Sequence, residues 1–359
     1  MSALRQKITE VVRGLRNPSG PAGDTAGGPD QTERLSQAER QLEKQRAQIQ
    51  KQAGEIRDLR ARVSEGAHAD GYGGIRPENI VWVFGNARTG STWLAFMMEE
   101  IEGHAVWREP YVGELFGRLY YNWVGEKHFQ TKHFILSRHK ESWTRSVRHF
   151  VLGEATARFP GVTDGGYLIV KEPNGSVGAP LMMEALPESR LIFLIRDPRD
   201  VVASRLDSIK EGSWLYERRV NQGGGRTAMF DVEADAYVEK SANAYAQNVG
   251  NVREAYESHG GPKVLVKYED LRADTLGTMS GIYSTLGVPV DDDAVARAVA
   301  KHAWENVPEE DKGEGKFHRK AKPGGWQEDL TPEQVETVER ITAPLLKEFY
   351  PTKDGTGGI

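Results

Sequence analysis

Residues 80–94 read Ile80-Val81-Trp82-Val83-Phe84-Gly85-Asn86-Ala87-Arg88-Thr89-Gly90-Ser91-Thr92-Trp93-Leu94. The first five form an unbroken apolar run, the pattern of a strand covered on both faces. After the second glycine, Leu94, Phe96, Met97, Met98 and Ile101 recur at helical spacing. Strand, glycine turn and helix in that order build an anion cradle, because backbone N–H groups and a helix N-terminus converge on one point. An ordinary glycine turn at a strand end is the plainer alternative.

Gly85 and Gly90 keep the Gly-x-x-x-x-Gly spacing of a P-loop, and Thr92 stands where its Ser/Thr belongs. The residue after Gly90 is Ser91, not lysine, and the loop's cation is Arg88. An enzyme of nucleoside triphosphates needs that lysine on the β- and γ-phosphates, together with magnesium. A loop charged only at Arg88 suits a less charged transferring group, such as a sulfuryl group on a single phosphate.

Two further segments bear on the same chemistry. Ser189–Ile195 reads as a second buried strand and runs into Arg196-Asp197-Pro198-Arg199-Asp200-Val201-Val202-Ala203-Ser204. Pro198 suits a helix's first turn, which sets Ser204 about two turns along it. Arg196 and Ser204 are then candidates for a second phosphate. The segment Phe317-His318-Arg319-Lys320-Ala321-Lys322-Pro323-Gly324-Gly325-Trp326 is basic, glycine-bearing and aromatic. By itself it also fits a solvated charged loop.

Together and in this order, the three segments resemble the sulfotransferases that use 3′-phosphoadenosine 5′-phosphosulfate (PAPS), over about residues 78–350. The first resembles the family's 5′-phosphosulfate loop, Pro-Lys-Ser-Gly-Thr-Thr-Trp in cytosolic members, with arginine for lysine as in many bacterial and carbohydrate-directed members. The second is similar to the 3′-phosphate motif. The third is similar to Arg-Lys-Gly-x-x-Gly-x-Trp, matching at Arg319, Lys320, Gly324 and Trp326, with Ala321 in place of a glycine. The resemblance implies a donor site made of Gly85, Arg88, Thr89, Gly90, Ser91, Thr92, Trp93, Arg196, Ser204, Tyr268, Phe317, Arg319, Lys320 and Ala321. Trp93 and Phe317 would sandwich the adenine, and Tyr268 would lie near the nucleoside. Adenosine 3′,5′-bisphosphate would be the product, and no metal is implied.

The resemblance also implies the catalytic groups Arg88, Glu109, Lys171 and Glu172. Lys171 aligns with a strand-end lysine of cytosolic members. Their following Lys-Thr-His places a histidine base where this chain has Lys171-Glu172-Pro173, and proline accepts no proton. Trp107-Arg108-Glu109-Pro110 resembles the Glu-Pro element of carbohydrate-directed members. Glu109 is therefore the expected base and Glu172 the second choice. A salt bridge to Arg108 or Arg88 is the structural alternative for Glu109. The implied activity is in-line sulfuryl transfer to a hydroxyl or amine, with a carbohydrate or glycoconjugate as acceptor. A P-loop nucleotide kinase and a non-catalytic nucleotide-binding scaffold are the alternatives.

The expected fold is α/β, a three-layer parallel sheet with strands near 80–84, 104–107, 167–171, 190–195 and 263–267. The loop, Glu109, Lys171 and Arg196 then fall at strand carboxyl ends, the edge where open α/β sheets bind ligands. Residues 111–160 are rich in aromatics for an acceptor, and Gly212 to Met229 suit a lid over it.

An extension precedes this domain. Residues 1–31 read as a short basic helix, its face of Leu4, Ile8, Val11, Val12 and Leu15 suited to a membrane surface or a partner, followed by a flexible linker. Residues 32–65 read as a charged helix with Leu35, Leu42, Ile49, Ile56 and Val63 at heptad spacing, either a self-associating coil or a lone helix. Residues 66–77 read as a hinge, 78–351 as the sulfotransferase domain and 352–359 as a tail. The 359 residues carry a net charge of −5, which argues against a general nucleic-acid binder, and no cysteine, which excludes disulfides and thiolate chemistry. Without an apolar run of membrane-span length or a signal-peptide core, the expectation is a cytoplasmic protein.

Overall fold

The computed structural model describes residues 41, 43–45, 47–48, 51–52, 74–123, 140–162, 165–220 and 232–351. The chain divides into two compact units, 1–71 and 72–359. In the first unit the described residues are helical and exposed. The five heptad apolar residues, the 2–16 helix, the 17–30 linker and the 352–359 tail lie outside the described residues.

The second unit is built on five parallel strands, β1 (Ile80–Gly85), β2 (His104–Arg108), β3 (Tyr167–Lys171), β4 (Arg190–Ile195) and β5 (Lys263–Lys267), in the order β2-β3-β1-β4-β5. Each strand falls where its apolar run predicts it. The sequence leaves β1 towards β2 and β3 on one side and β4 and β5 on the other. The crevice where this order reverses lies at the carboxyl end of β1, beneath the glycine loop.

Alternation along β1 divides the core. Ile80, Trp82 and Phe84 face one way, against Val147, Val151 and Ala155 of α2 (Lys140–Arg158) and Tyr245, Val249 and Val252 of α6 (Ala234–Ser258). Val81 and Val83 face the other way, against Leu94, Met97 and Met98 of α1 (Ser91–Glu99) and Ile282 and Leu286 of α8 (Thr275–Leu286). Helices therefore cover both faces of the sheet. A fully buried leucine such as Leu94 contributes about 1.5–3 kcal/mol by leaving water.

Helix starts follow local chemistry. Asp197 caps α4 (Pro198–Ser208) by accepting from the Arg199 amide at 2.8 Å, with Pro198 at the first position. Asp274 caps α8 in the same way, at 2.9 Å from the Gly277 amide. Before α4 lies α3 (Ala179–Ala185), and between α4 and α8 lie α5 (Trp214–Arg219) and α7 (Tyr268–Ala273). After α8 come α9 (Asp292–Lys301) and α10 (Pro332–Phe349). Within the segment read as a hinge, Ile75 is buried and its amide donates to the Thr156 hydroxyl at 3.1 Å. Residues 74–77 thus pack as part of this unit.

Candidate functional site

The loop after β1 is held by groups beneath it. The Gly85 amide donates to the Ser176 hydroxyl at 3.1 Å, and a Cβ at Gly85 would lie 2.1 Å from the Leu194 carbonyl oxygen. The fully buried Asn86 accepts from the Asn248 amide group of α6 at 2.9 Å, and Thr89 donates back to the Asn86 carbonyl at 2.8 Å. Gly90 has φ +86° and caps α1, with Tyr268 so close that a Cβ would come within 2.6 Å of its ring. Both glycines are therefore required by space, and Gly90 by conformation as well. Ser176 and Asn248 escaped the sequence reading, since a serine in a turn and an asparagine on a long helix carry no local signal.

Arg88 takes a positive φ, 73°. Its Nε donates to the Ser204 hydroxyl at 3.0 Å and its guanidinium to the Phe317 carbonyl at 3.2 Å. The same group lies over the rings of Trp214 and Phe317, at 5.4 and 5.2 Å. Burial, then the neighbouring charges of Arg196 and Arg319, depress its pKa to about 10. Three guanidiniums are thus close enough to repel one another, and Arg88 joins them to the Ser204 hydroxyl. Arg196 lies 4.4 Å from the Tyr268 ring and donates to the Arg88 carbonyl at 3.2 Å, while its buried Nε has no partner. Arg319 lies between Asp207 and Asp329, and its Nε, 3.3 Å from Asp207, makes no aligned hydrogen bond. Buried donors left open beside like charges call for an anion.

Asp200 stitches the second segment to the third. Its carboxylate accepts from the amides of Gly324 and Trp326, at 2.8 and 3.0 Å, and stands 3.7 Å from Arg196. Ala321 adopts φ +48°, the conformation a glycine would take freely, and its carbonyl accepts from Arg272 at 3.1 Å. Lys320 is not directed at Ser204: its ammonium pairs with Glu328 at 2.9 Å and Asp329 at 3.0 Å. Trp93 donates to the His302 carbonyl at 2.8 Å and lies beneath the Arg272 guanidinium, 5.2 Å away, whereas Phe317 packs edge-on against Trp214.

The other candidate residues meet on the far side of the loop. Lys171, at the end of β3 and nearly buried, pairs with the Glu109 carboxylate and lies 3.4 Å from the Thr92 hydroxyl. The partner of Glu109 is thus Lys171, while Arg108 pairs with Glu99. Glu109 keeps a third of its side chain exposed. Glu172 is fully buried and accepts from the Tyr111 amide at 3.0 Å. Burial pushes its carboxyl up to about 8. Of the segment read as a lid, Gly212 to Val220 is described. It includes Ser213, which caps α5, and Trp214, whose amide donates to the Gly315 carbonyl at 2.7 Å. The triple glycine at 223–225 lies outside the described residues. Among the described residues there is no cluster of three or more His, Asp or Glu able to hold a metal, and no helix is long and apolar enough to cross a membrane.

A glycine loop with P-loop spacing at the switch point of a parallel sheet, flanked by an arginine cluster and a Lys–Glu pair, has the layout of a group-transfer class of site. The sequence profile of the sulfotransferase family matches residues 81–292, and the chain belongs to that family. A curated relative, cytosolic sulfotransferase 17 of Arabidopsis thaliana, is 23% identical over 191 residues, 46% of this chain and 53% of the relative. The chain thus spans about half the length of the curated relative it matches. Among solved structures, sulfotransferase STF9 of Mycobacterium avium is 15% identical with a TM-score of 0.48, covering 78% of this chain and 79% of that one. Mouse sulfotransferase SULT7A1 complexed with PAP is 14% identical with a TM-score of 0.47, covering 76% and 86%.

Proposed function

We propose that this chain is an enzyme that transfers a sulfuryl group from PAPS to a hydroxyl acceptor, a carbohydrate or glycoconjugate hydroxyl being the class we favour. The observation that carries the donor assignment is the crowding of Arg196 and Arg319 on Arg88, which bonds to the Ser204 hydroxyl, with a buried Arg196 Nε left without a partner. A 3′-phosphate dianion fits such a cluster. The open amides of the 86–91 loop and the N-terminus of α1 suit the 5′-phosphosulfate. The matching curated relative is named as a sulfotransferase, and the mouse structure holds PAP.

PAPS supplies an activated sulfuryl group on a phosphate leaving oxygen. In the proposed reaction the acceptor oxygen forms a bond to sulfur as the bond from sulfur to that phosphate oxygen breaks. The electron pair leaves with adenosine 3′,5′-bisphosphate, and the acceptor proton passes to Glu109. Glu109 suits the part because a third of its side chain is exposed and it lies against Lys171. Lys171, between Glu109 and the Thr92 hydroxyl, places a cation where negative charge grows on the leaving and equatorial oxygens.

Calorimetry tests the donor site. Adenosine 3′,5′-bisphosphate should bind at least about tenfold more tightly than AMP, which lacks the 3′-phosphate and its charge-assisted bonds. Equal affinities would remove the 3′-phosphate assignment. Incubation with radiosulfate-labelled PAPS and a panel of carbohydrates then tests transfer itself, and a requirement for ATP and magnesium would point to a kinase.

A further inference from the structure

The turn that carries Glu109 is strained. Glu109 and Tyr111 both have positive φ, 50° and 60°, on either side of Pro110. Side-chain-bearing residues adopt that region only when their surroundings enforce it. The enforcing contacts come from the segment after β3. The Glu109 amide donates to the Lys171 carbonyl at 2.8 Å, and the Glu172 amide donates to the Val83 carbonyl of the central strand at 3.0 Å. Beneath the turn lies the Glu172 carboxyl, with no surface open to solvent.

We propose that Glu172 is a positioning residue, whose buried carboxyl clamps the Glu109–Gly113 turn to the end of β3 and thereby holds Glu109 against Lys171. The clamp rests on the reading of Glu109 as base. One carboxyl oxygen of Glu172 accepts from the Tyr111 amide at 3.0 Å. The other is enclosed by Gly175, where a Cβ would fall 1.9 Å from it. A Cβ at Gly113 would strike the Gly175 carbonyl oxygen at 2.1 Å, and one at Gly117 would meet the Gly178 Cα at 2.3 Å. The segments after β2 and β3 are therefore zipped backbone to backbone by glycines, with Glu172 filling the space below. An acceptor cannot reach a group so enclosed, so Glu172 acts through the turn it holds.

Two conservative variants separate a clamp from a base. Glu172→Gln keeps an acceptor oxygen at the same reach but cannot take a proton at neutral pH. Glu172→Asp keeps the acid but falls one methylene short of the Tyr111 amide. The first readout is hydrogen exchange over residues 107–116, which needs no acceptor. Exchange at Tyr111 and Gly113 should stay within roughly threefold of the parent in the glutamine variant. It should rise roughly tenfold or more in the aspartate variant, as expected when a buried amide loses its acceptor. The second readout is transfer from labelled PAPS to the best acceptor of the carbohydrate panel. The glutamine variant should retain turnover within roughly fivefold, and the aspartate variant should lose roughly 50-fold in kcat with little change in adenosine 3′,5′-bisphosphate affinity. Equal exchange in all three proteins, or an active aspartate variant beside a dead glutamine one, overturns the proposal. Absence of transfer by the parent itself would count against the sulfotransferase reading, and the exchange result would still judge the clamp.

Discussion

Glu172 should make the folded protein lose stability as the pH rises through neutrality. Burial pushes its carboxyl from 4.5 up to about 8, and Glu109 adds to the rise, while the amides of Tyr111 and Gly113 and the charge of Lys171 oppose it. In the unfolded chain this carboxyl ionises near its ordinary value. Between that value and about 8 the folded state holds a proton that the unfolded state has released. The contribution is thus complete below about pH 4.5, declines as the pH rises, and is gone above about 8. The ceiling is about 1.4 kcal/mol per pH unit, which gives about 2–3 kcal/mol between pH 5.5 and pH 7.5. Glu172→Gln removes the titration and keeps the acceptor oxygen for Tyr111. Urea denaturation of both proteins at the two pH values measures the effect. Histidines that titrate in the same window cancel between parent and variant. The glutamine variant should lose about 2 kcal/mol less than the parent over this range. Parallel pH dependence in the two proteins would mean that Glu172 is ionised in the fold, and the burial argument would fail.

Three further outcomes follow from the site. Glu109→Gln should lower turnover roughly 10²–10⁴-fold, the usual range for losing a general base, with donor affinity nearly unchanged in calorimetry. Ser204→Ala strips the acceptor from Arg88 Nε and a hydroxyl from the proposed 3′-phosphate cluster. Affinity for adenosine 3′,5′-bisphosphate should fall about tenfold while AMP binding stays level. Ala321→Gly should raise the thermal midpoint by about 2–4 °C, because it relieves the roughly 1 kcal/mol strain of an alanine at φ +48°. A midpoint that stays or drops would show that the loop gains more from the alanine methyl than it loses to strain.

The sheet was legible because its strands are buried on both faces, so each appears in the sequence as a short apolar run bounded by turn residues. Because all four strand pairings are parallel, every strand ends on the same edge, and Glu109, Lys171 and Arg196 were thereby gathered correctly. What escaped were directions and supports. Nothing in the sequence marks Arg88 as a residue of positive φ, and that dihedral turns its guanidinium towards Ser204. Lys320 carries the right charge at the right spacing, yet Glu328 and Asp329 lie within its reach and take it. Glu172 is the second choice of base by sequence, and its complete burial, which no local pattern signals, is what supports the positioning role proposed for it. Trp214, read as part of a lid, lies against the Arg88 guanidinium. Each of these depends on residues distant in sequence, whose approach no local pattern encodes.

The strand order also explains why the site uses cations of two kinds. The loop follows β1 at the centre, the Lys171–Glu109 pair follows β3 and β2 on one side, and Arg196 follows β4 on the other. With strands spaced about 4.8 Å apart, the ends of β2 and β4 are separated by about 14 Å across the sheet edge, so one flexible side chain cannot serve both flanks. On the β4 side a dianion would need a rigid, multidentate clamp, and guanidinium forks fit it; Arg88 stays charged at neutral pH even though burial depresses it to about 10. On the β3 side the proposed reaction develops charge only during transfer, and a single ammonium is compact enough to lie between Glu109, the proposed base, and the Thr92 hydroxyl. Under that reading, exchanging the two kinds of cation would fail at both ends: a lysine at position 196 could not span the oxygens of the proposed 3′-phosphate, and an arginine at 171 would overfill a nearly buried gap. The glycine loop lies between these demands, and its amides, fixed from below by Ser176 and Asn248, provide the part of the site that needs no side chain.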